Sequence, residues 1–85
     1  NLEVIKKDIQ PESILTFEEG DTVQVSSIKG SVAIRKYLNE KGIVIKSLIK
    51  ILDINKHIIM LLVDGDEKVI SIDDAADIMV TRNYV

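Results

Sequence analysis

Fifteen isoleucines and nine valines, against seven leucines and three alanines, set the strongest limit on what this chain can become. A β-branched side chain loses rotamer freedom in a helix but packs well across a pleated sheet. The chain should therefore be mainly β. At 85 residues it lies at the low end of single-domain size, where one compact core is all that folding can build. Small secreted domains commonly reinforce such a core with disulfides, and this sequence has no cysteine. The expectation is a soluble domain of the cytoplasm. No apolar run approaches the roughly 18 residues of a membrane-spanning helix. No basic segment leads into an apolar stretch as in a secretory signal, and an opening on Asn1 leaves trimming or a missing upstream domain open.

Along the chain, residues 1–13 fit two periods, because Leu2, Ile5 and Ile9 make a helical stripe while Leu2 and Val4 alternate. They are set apart as an N-terminal extension from a domain of residues 14–85. Val23 and Val25 alternate with Thr22, Gln24 and Ser26, giving a strand over 22–28 in which Ile28 falls out of phase and implies a bulge. Ser31 is a suitable N-cap for a helix running to Lys41, with Ile34, Tyr37 and Leu38 at helical spacing and Gly42 closing it at positive φ. Ile43, Ile45, Ile49 and Ile51 against Lys46 and Lys50 read as a half-buried strand over 43–54. His57 to Val63 is apolar on both faces, as in a strand covered on each side, and Asp64-Gly65 is a hairpin turn. A strand over 69–72, a short capped turn at 73–76 and a last strand over 78–80 complete the order. Gly20, Gly30, Gly42 and Gly65 each fall at an expected turn. A helix inserted after the first of several short antiparallel strands suggests a small, partly open barrel.

Charge is segregated. Lys29, Arg35, Lys36, Lys41, Lys46 and Lys50 face only Glu40 within residues 29–50, while the flanking segments are net acidic. Arg35 and Lys36 are expected on the exposed side of the helix, and Lys46 and Lys50 on the outer face of the next strand. Together they are the candidate partner-binding residues, suited to steering towards an acidic protein. Nucleic acid is the weaker fit, because aromatics are 4% and the pI is near 5.0.

The sequence holds neither dinucleotide-binding nor P-loop glycine spacing. One histidine without cysteine makes no ordinary zinc site. His57 near Asp53 reads as a solvated turn, Asp64-Gly65-Asp66-Glu67 as a hairpin too short for a calcium loop, and Asp73, Asp74 and Asp77 as helix-start carboxylates. Ser26, His57 and Asp53 lack the setting of a nucleophile elbow. The expectation is a non-catalytic domain with no metal and no cofactor.

Phe17-Glu18-Glu19-Gly20-Asp21-Thr22-Val23, Ile28-Lys29-Gly30, and Ala33-Ile34-Arg35-Lys36-Tyr37-Leu38 through Lys41-Gly42-Ile43 together resemble the FeoA family. Val63-Asp64-Gly65 and Ala75-Ala76-Asp77-Ile78-Met79-Val80 resemble its closing pattern. The resemblance implies an SH3-like barrel and a cytosolic accessory of ferrous-iron uptake, docking on the cytoplasmic part of a FeoB-type permease, with self-association left open. The chain departs from the family at Tyr37, where an arginine is usual, and at Ile45-Lys46, where the family has a Pro-Gly turn. A similar barrel forms the C-terminal domain of DtxR-like metal-dependent repressors, which is the alternative role.

Overall fold

The computed structural model describes residues 10–82. Their elements are β1 (Glu12–Ser13), a 3-10 turn (Ile14–Thr16), β2 (Thr22–Ile28), α1 (Val32–Glu40), β3 (Leu48–Ile54), β4 (Ile58–Val63), β5 (Asp66–Ser71), α2 (Ile72–Ala75) and β6 (Ile78–Arg82). The strands form one antiparallel sheet in the order β1-β6-β2-β3-β4-β5, curled but unclosed, with β1 and β5 at its edges. The expected mainly β, SH3-like partly open architecture with one inserted helix is the one observed.

The alternation of β-branched residues places the core. Val23 and Val25 of β2, Ile49 and Ile51 of β3, Ile59, Leu61 and Val63 of β4, and Ile78 and Val80 of β6 point to one side, and Ile14, Leu38, Ile43, Ile70 and Ala75 complete it. Each fully buried aliphatic side chain contributes about 1.5–3 kcal/mol by leaving water. No polar side chain among the described residues is buried. β4 is interior to the sheet, between β3 and β5, as its apolar run implies, but its second face is less covered than expected: Ile58, Met60 and Leu62 are half-buried.

The N-terminal segment left open in the sequence contributes β1, since Glu12 and Ser13 pair with Val80 and Met79. The remainder of that segment, residues 1–9, lies outside the described residues. The bulge signalled by Ile28 is present: between Val25 opposite Val80 and Ser27 opposite Met79, β2 carries one extra residue, Ser26. A second register shift, between Ile51 and Asp53, left no sequence signal.

Helix α1 starts and stops as its cap residues dictate. The Ser31 Oγ accepts from the Ile34 N–H at 3.2 Å. At the other end Gly42 has φ +84°, and the N–H groups of Gly42 and Ile43 donate to Asn39 and Leu38 carbonyls at 2.9 and 3.0 Å. This is a complete Schellman motif, and its apolar pair, Leu38 and Ile43, is fully buried. Ser71 likewise caps α2 through the Asp74 N–H at 3.2 Å.

The strand expected over 43–54 begins only at Leu48. Leaving the Schellman motif, the chain drops Ile43 into the core and then reverses over Val44–Ser47, where the Ser47 N–H donates to the Val44 carbonyl at 3.0 Å and Lys46 has φ +76°. Positive φ at the third position is the mark of a type II turn, which favours proline at the second position and glycine at the third. Ile45 and Lys46 occupy those two places, so Ile45 is 61% exposed instead of facing the core. A left-handed backbone costs a non-glycine residue roughly 1–2 kcal/mol, and glycine's greater unfolded freedom offsets roughly 0.5–1 kcal/mol of the relief. Lys46→Gly should therefore leave the domain unchanged or stabilise it by up to about 1 kcal/mol, a rise of about 4–8 °C in Tm at that upper end. A lower Tm would show that this turn stores no strain.

Candidate partner-binding surface

The cationic residues picked out by the sequence lie on three elements: α1, the Val44–Ser47 turn and β3. Arg35 and Lys36 are exposed on successive positions of α1, and the Arg35 Nη1 donates to the Gly30 carbonyl at 2.7 Å. That bond leaves most of the guanidinium's donors free. Lys46 is not on a strand face as expected but on the turn, where its N–H donates to the Val25 carbonyl at 2.8 Å and its own carbonyl accepts from Gln24 Nε2 at 3.3 Å. Lys50 alone stands on the outer face of β3, opposite Thr22 and Leu62. The anticipated pairing of Lys46 with Lys50 on one strand face fails because the alternation of isoleucines continues across a turn.

What the sequence missed is a groove. Ile28 forms part of its lining at the end of β2, Arg35 and Asn39 line it from α1, and Val44 and Ile45 from the turn, around a volume of about 400 Å³. Val44 is 43% exposed, and Val32 and Leu48 are also exposed. The signal was the Val44-Ile45 pair, which a period-two reading assigns partly to the core.

The four glycines expected at turns all have positive φ, and Asp64 joins Gly65 there at +53° and +83°, as a type I′ hairpin requires. His57 and Asp53 are both exposed and are not joined: the His57 N–H donates to Asn55 Oδ1 at 2.7 Å, while Asp53 Oδ1 accepts from the Ile54 N–H at 2.9 Å. Asp73 and Asp74 occupy the first turn of α2. Among the described residues no three His, Cys, Asp or Glu side chains gather as metal ligands, and no helix is long and apolar enough to cross a membrane.

One ionic contact was not foreseen. Arg82, at the end of β6, reaches Asp21 Oδ1 at 3.3 Å and lies 5.2 Å from the centre of the Phe17 ring. The Asp21 carboxyl is held below its ordinary value of 3.8, first by the Glu18 N–H donating to Oδ2 at 2.9 Å; burial opposes this as the next effect in size, and Arg82 adds smaller lowering contributions through its hydrogen bond and its charge. A carboxyl more acidic when folded adds stability at all pH above its unfolded value, and that stability is lost as pH falls through the folded value. Asp21→Asn should therefore flatten the loss of stability between about pH 5 and about pH 3, read from urea midpoints. An acid limb identical to that of the unaltered chain would remove Asp21 from the explanation.

Comparison with known proteins places this geometry. The family model described as FeoA domain matches residues 13–82, nearly the whole described fold. The chain belongs to the FeoA family. Among solved structures, an iron uptake regulatory protein (FeoA) superposes with TM-score 0.81 at 23% identity, over 87% of this chain and 100% of that one. Crystalline IdeR of T. acidophilum gives 0.80 at 27% identity over 91% of this chain, and a manganese-dependent transcriptional repressor 0.82 at 19% over 88%. This chain spans only 36% of the IdeR chain and 43% of the repressor. No curated protein sequence matches. FeoA membership supports a role in ferrous iron transport.

Proposed function

We propose that this chain is a non-catalytic accessory of ferrous-iron uptake that docks, in the cytoplasm, on the cytoplasmic part of a FeoB-type permease. The observation that carries this reading is the FeoA match across residues 13–82. It is supported by a cationic helix face on an otherwise acidic chain, which favours encounter with an acidic protein surface. The test is titration of the purified chain with the isolated cytoplasmic domain of such a permease. Binding is expected, and charge reversal at Arg35 and Lys36 should weaken it at least about tenfold, through like-charge repulsion. Unchanged affinity would remove those two residues from the interface, and absence of binding would overturn the reading.

The likeness to IdeR at 27% identity supports a second reading, the C-terminal domain of a DtxR-like metal-dependent repressor. A winged-helix coding region immediately upstream of Asn1 would favour it, and a start codon within a few residues the permease accessory. Nucleic-acid binding through the basic face predicts affinity that falls steeply with salt, measurable with short oligonucleotides.

A further inference from the structure

We infer that the groove between α1 and the Val44–Ser47 turn takes an extended segment of a partner protein, one that pairs with the end of β2 and carries an aliphatic residue beside a carboxylate. The inference rests on the docking role proposed above and gives it a place and a ligand chemistry.

The backbone supplies the first part. In an antiparallel pair, residues alternate between pointing their N–H and C=O groups at the partner strand and pointing them away. The Lys29 N–H donates to the Asp77 carbonyl at 2.8 Å, so the preceding pair, Ile28 opposite Ile78, is one whose polar groups point outward. On the outward side, β3 accompanies β2 only over Thr22–Gln24, and the turn bonds Val25 through Lys46 and Ser47. Beyond Val25 neither β3 nor the turn is bonded to β2 on that side, which is the side to which the N–H and C=O of Ile28 point, and Ile28 helps line the groove. No turn or loop bond among the described residues reaches either group. A short stretch of sheet edge is thus left open inside a groove, the setting in which extended segments add as a strand.

The side chains supply the rest. Ile28, Val44 and Ile45 give an aliphatic lining, with Ile45 61% exposed. Arg35 lines the same groove, and Lys46 follows Ile45 on the turn. Between residues 29 and 50 Glu40 is the single carboxylate against six cations, so a cationic or phosphate-free neutral segment gains less there than one with a carboxylate. Strand pairing fixes direction, the aliphatic pocket gives affinity, and the Arg35 fork selects the charge.

The experiment uses the full chain, 15N-labelled, and three probes: a short peptide alternating aliphatic and acidic residues, its counterpart with lysines for the acids, and a single-stranded oligonucleotide. The acidic peptide is expected to shift the amides of Ile28, Arg35, Asn39, Val44 and Ile45. Arg35→Glu and, separately, Ile45→Asp should each weaken it at least about tenfold, with Lys50→Glu within about twofold of the unaltered chain. Ile45 is exposed, so its variant should fold even where Arg35→Glu loses the Gly30 contact. Equal shifts by the lysine peptide, preference for the oligonucleotide, shifts confined elsewhere, or concentration-dependent shifts of these amides without any probe would each overturn the inference. Permease binding that persists in Ile45→Asp, with shifts on another face, would sink the groove and leave the permease reading standing. Loss of permease binding altogether, with the peptide still bound, would do the reverse.

Discussion

Leu38→Ala is expected to lower the unfolding free energy by about 3 kcal/mol, a large part of the roughly 5–15 kcal/mol of a domain this small. Leu38 is the buried residue of α1, at 0% exposure, while Ile34 is half-buried and the other side chains of the helix are exposed. It is also the apolar half of the Schellman motif, packed with Ile43 as the chain turns into the core. Truncating it opens a cavity under the helix, and the helix has no second fully buried side chain to hold it. Tyr37→Ala is the comparison, since Tyr37 is 37% exposed and sits 5.1 Å beneath Lys41 Nζ in a surface cation-π contact. That change should cost about 1 kcal/mol or less. Urea unfolding of both variants separates the cases. Similar losses from the two would mean that α1 is not anchored through Leu38. Because Arg35 and Asn39 ride on the same helix, Leu38→Ala should also weaken whatever binds the groove, although Leu38 does not line it.

The fold was legible wherever one physical rule acted alone. Ser31 and Gly42 bracket α1 because cap chemistry is local, and Asp64-Gly65 gives the hairpin because both residues tolerate positive φ. The bulge was readable from one residue, Ile28, falling out of phase. Where two rules competed, the pattern misled. Ile43, Ile45, Ile49 and Ile51 alternate as a strand does, yet the Schellman motif commits Ile43 to the core before the strand begins, and a type II turn intervenes. The turn was hidden because Ile45-Lys46 lacks the residues its geometry prefers. The same masking hid the groove: its aliphatic wall, Val44 and Ile45, looked like core. The cations were found, but their arrangement depends on that turn, so Lys46 and Lys50 were placed on one strand face when only Lys50 stands on it. The Arg82 contact with Asp21 spans 61 residues of sequence, a separation over which no local pattern speaks.

Gly30→Ala should cost about 2–3 kcal/mol, and the cost should divide into two parts that can be measured separately. The first is backbone conformation: Gly30 has φ +101°, beyond the left-handed helical region that a side chain can occupy at modest cost. The second is steric, since a Cβ there would stand 2.7 Å from Asp77 Oδ2 and 3.2 Å from its Cγ. The Asp77 backbone is held beside β2, its carbonyl accepting from the Lys29 N–H at 2.8 Å and its N–H donating to the Asp74 carbonyl at 3.4 Å, but the atoms in the way end a rotatable side chain, so the steric part is the smaller of the two. Adding Asp77→Ala to Gly30→Ala should therefore recover less than about 1 kcal/mol, and most of the cost should persist as the backbone part. No recovery in the double variant would assign the whole cost to φ, and complete recovery would assign it to the clash. The position matters beyond stability. The Gly30 carbonyl accepts the Arg35 guanidinium at 2.7 Å, and Ser31, the next residue, caps α1. A shift of this one peptide would move the cation at the groove and the start of the helix that carries it, so binding should fall in Gly30→Ala by more than its fraction unfolded accounts for.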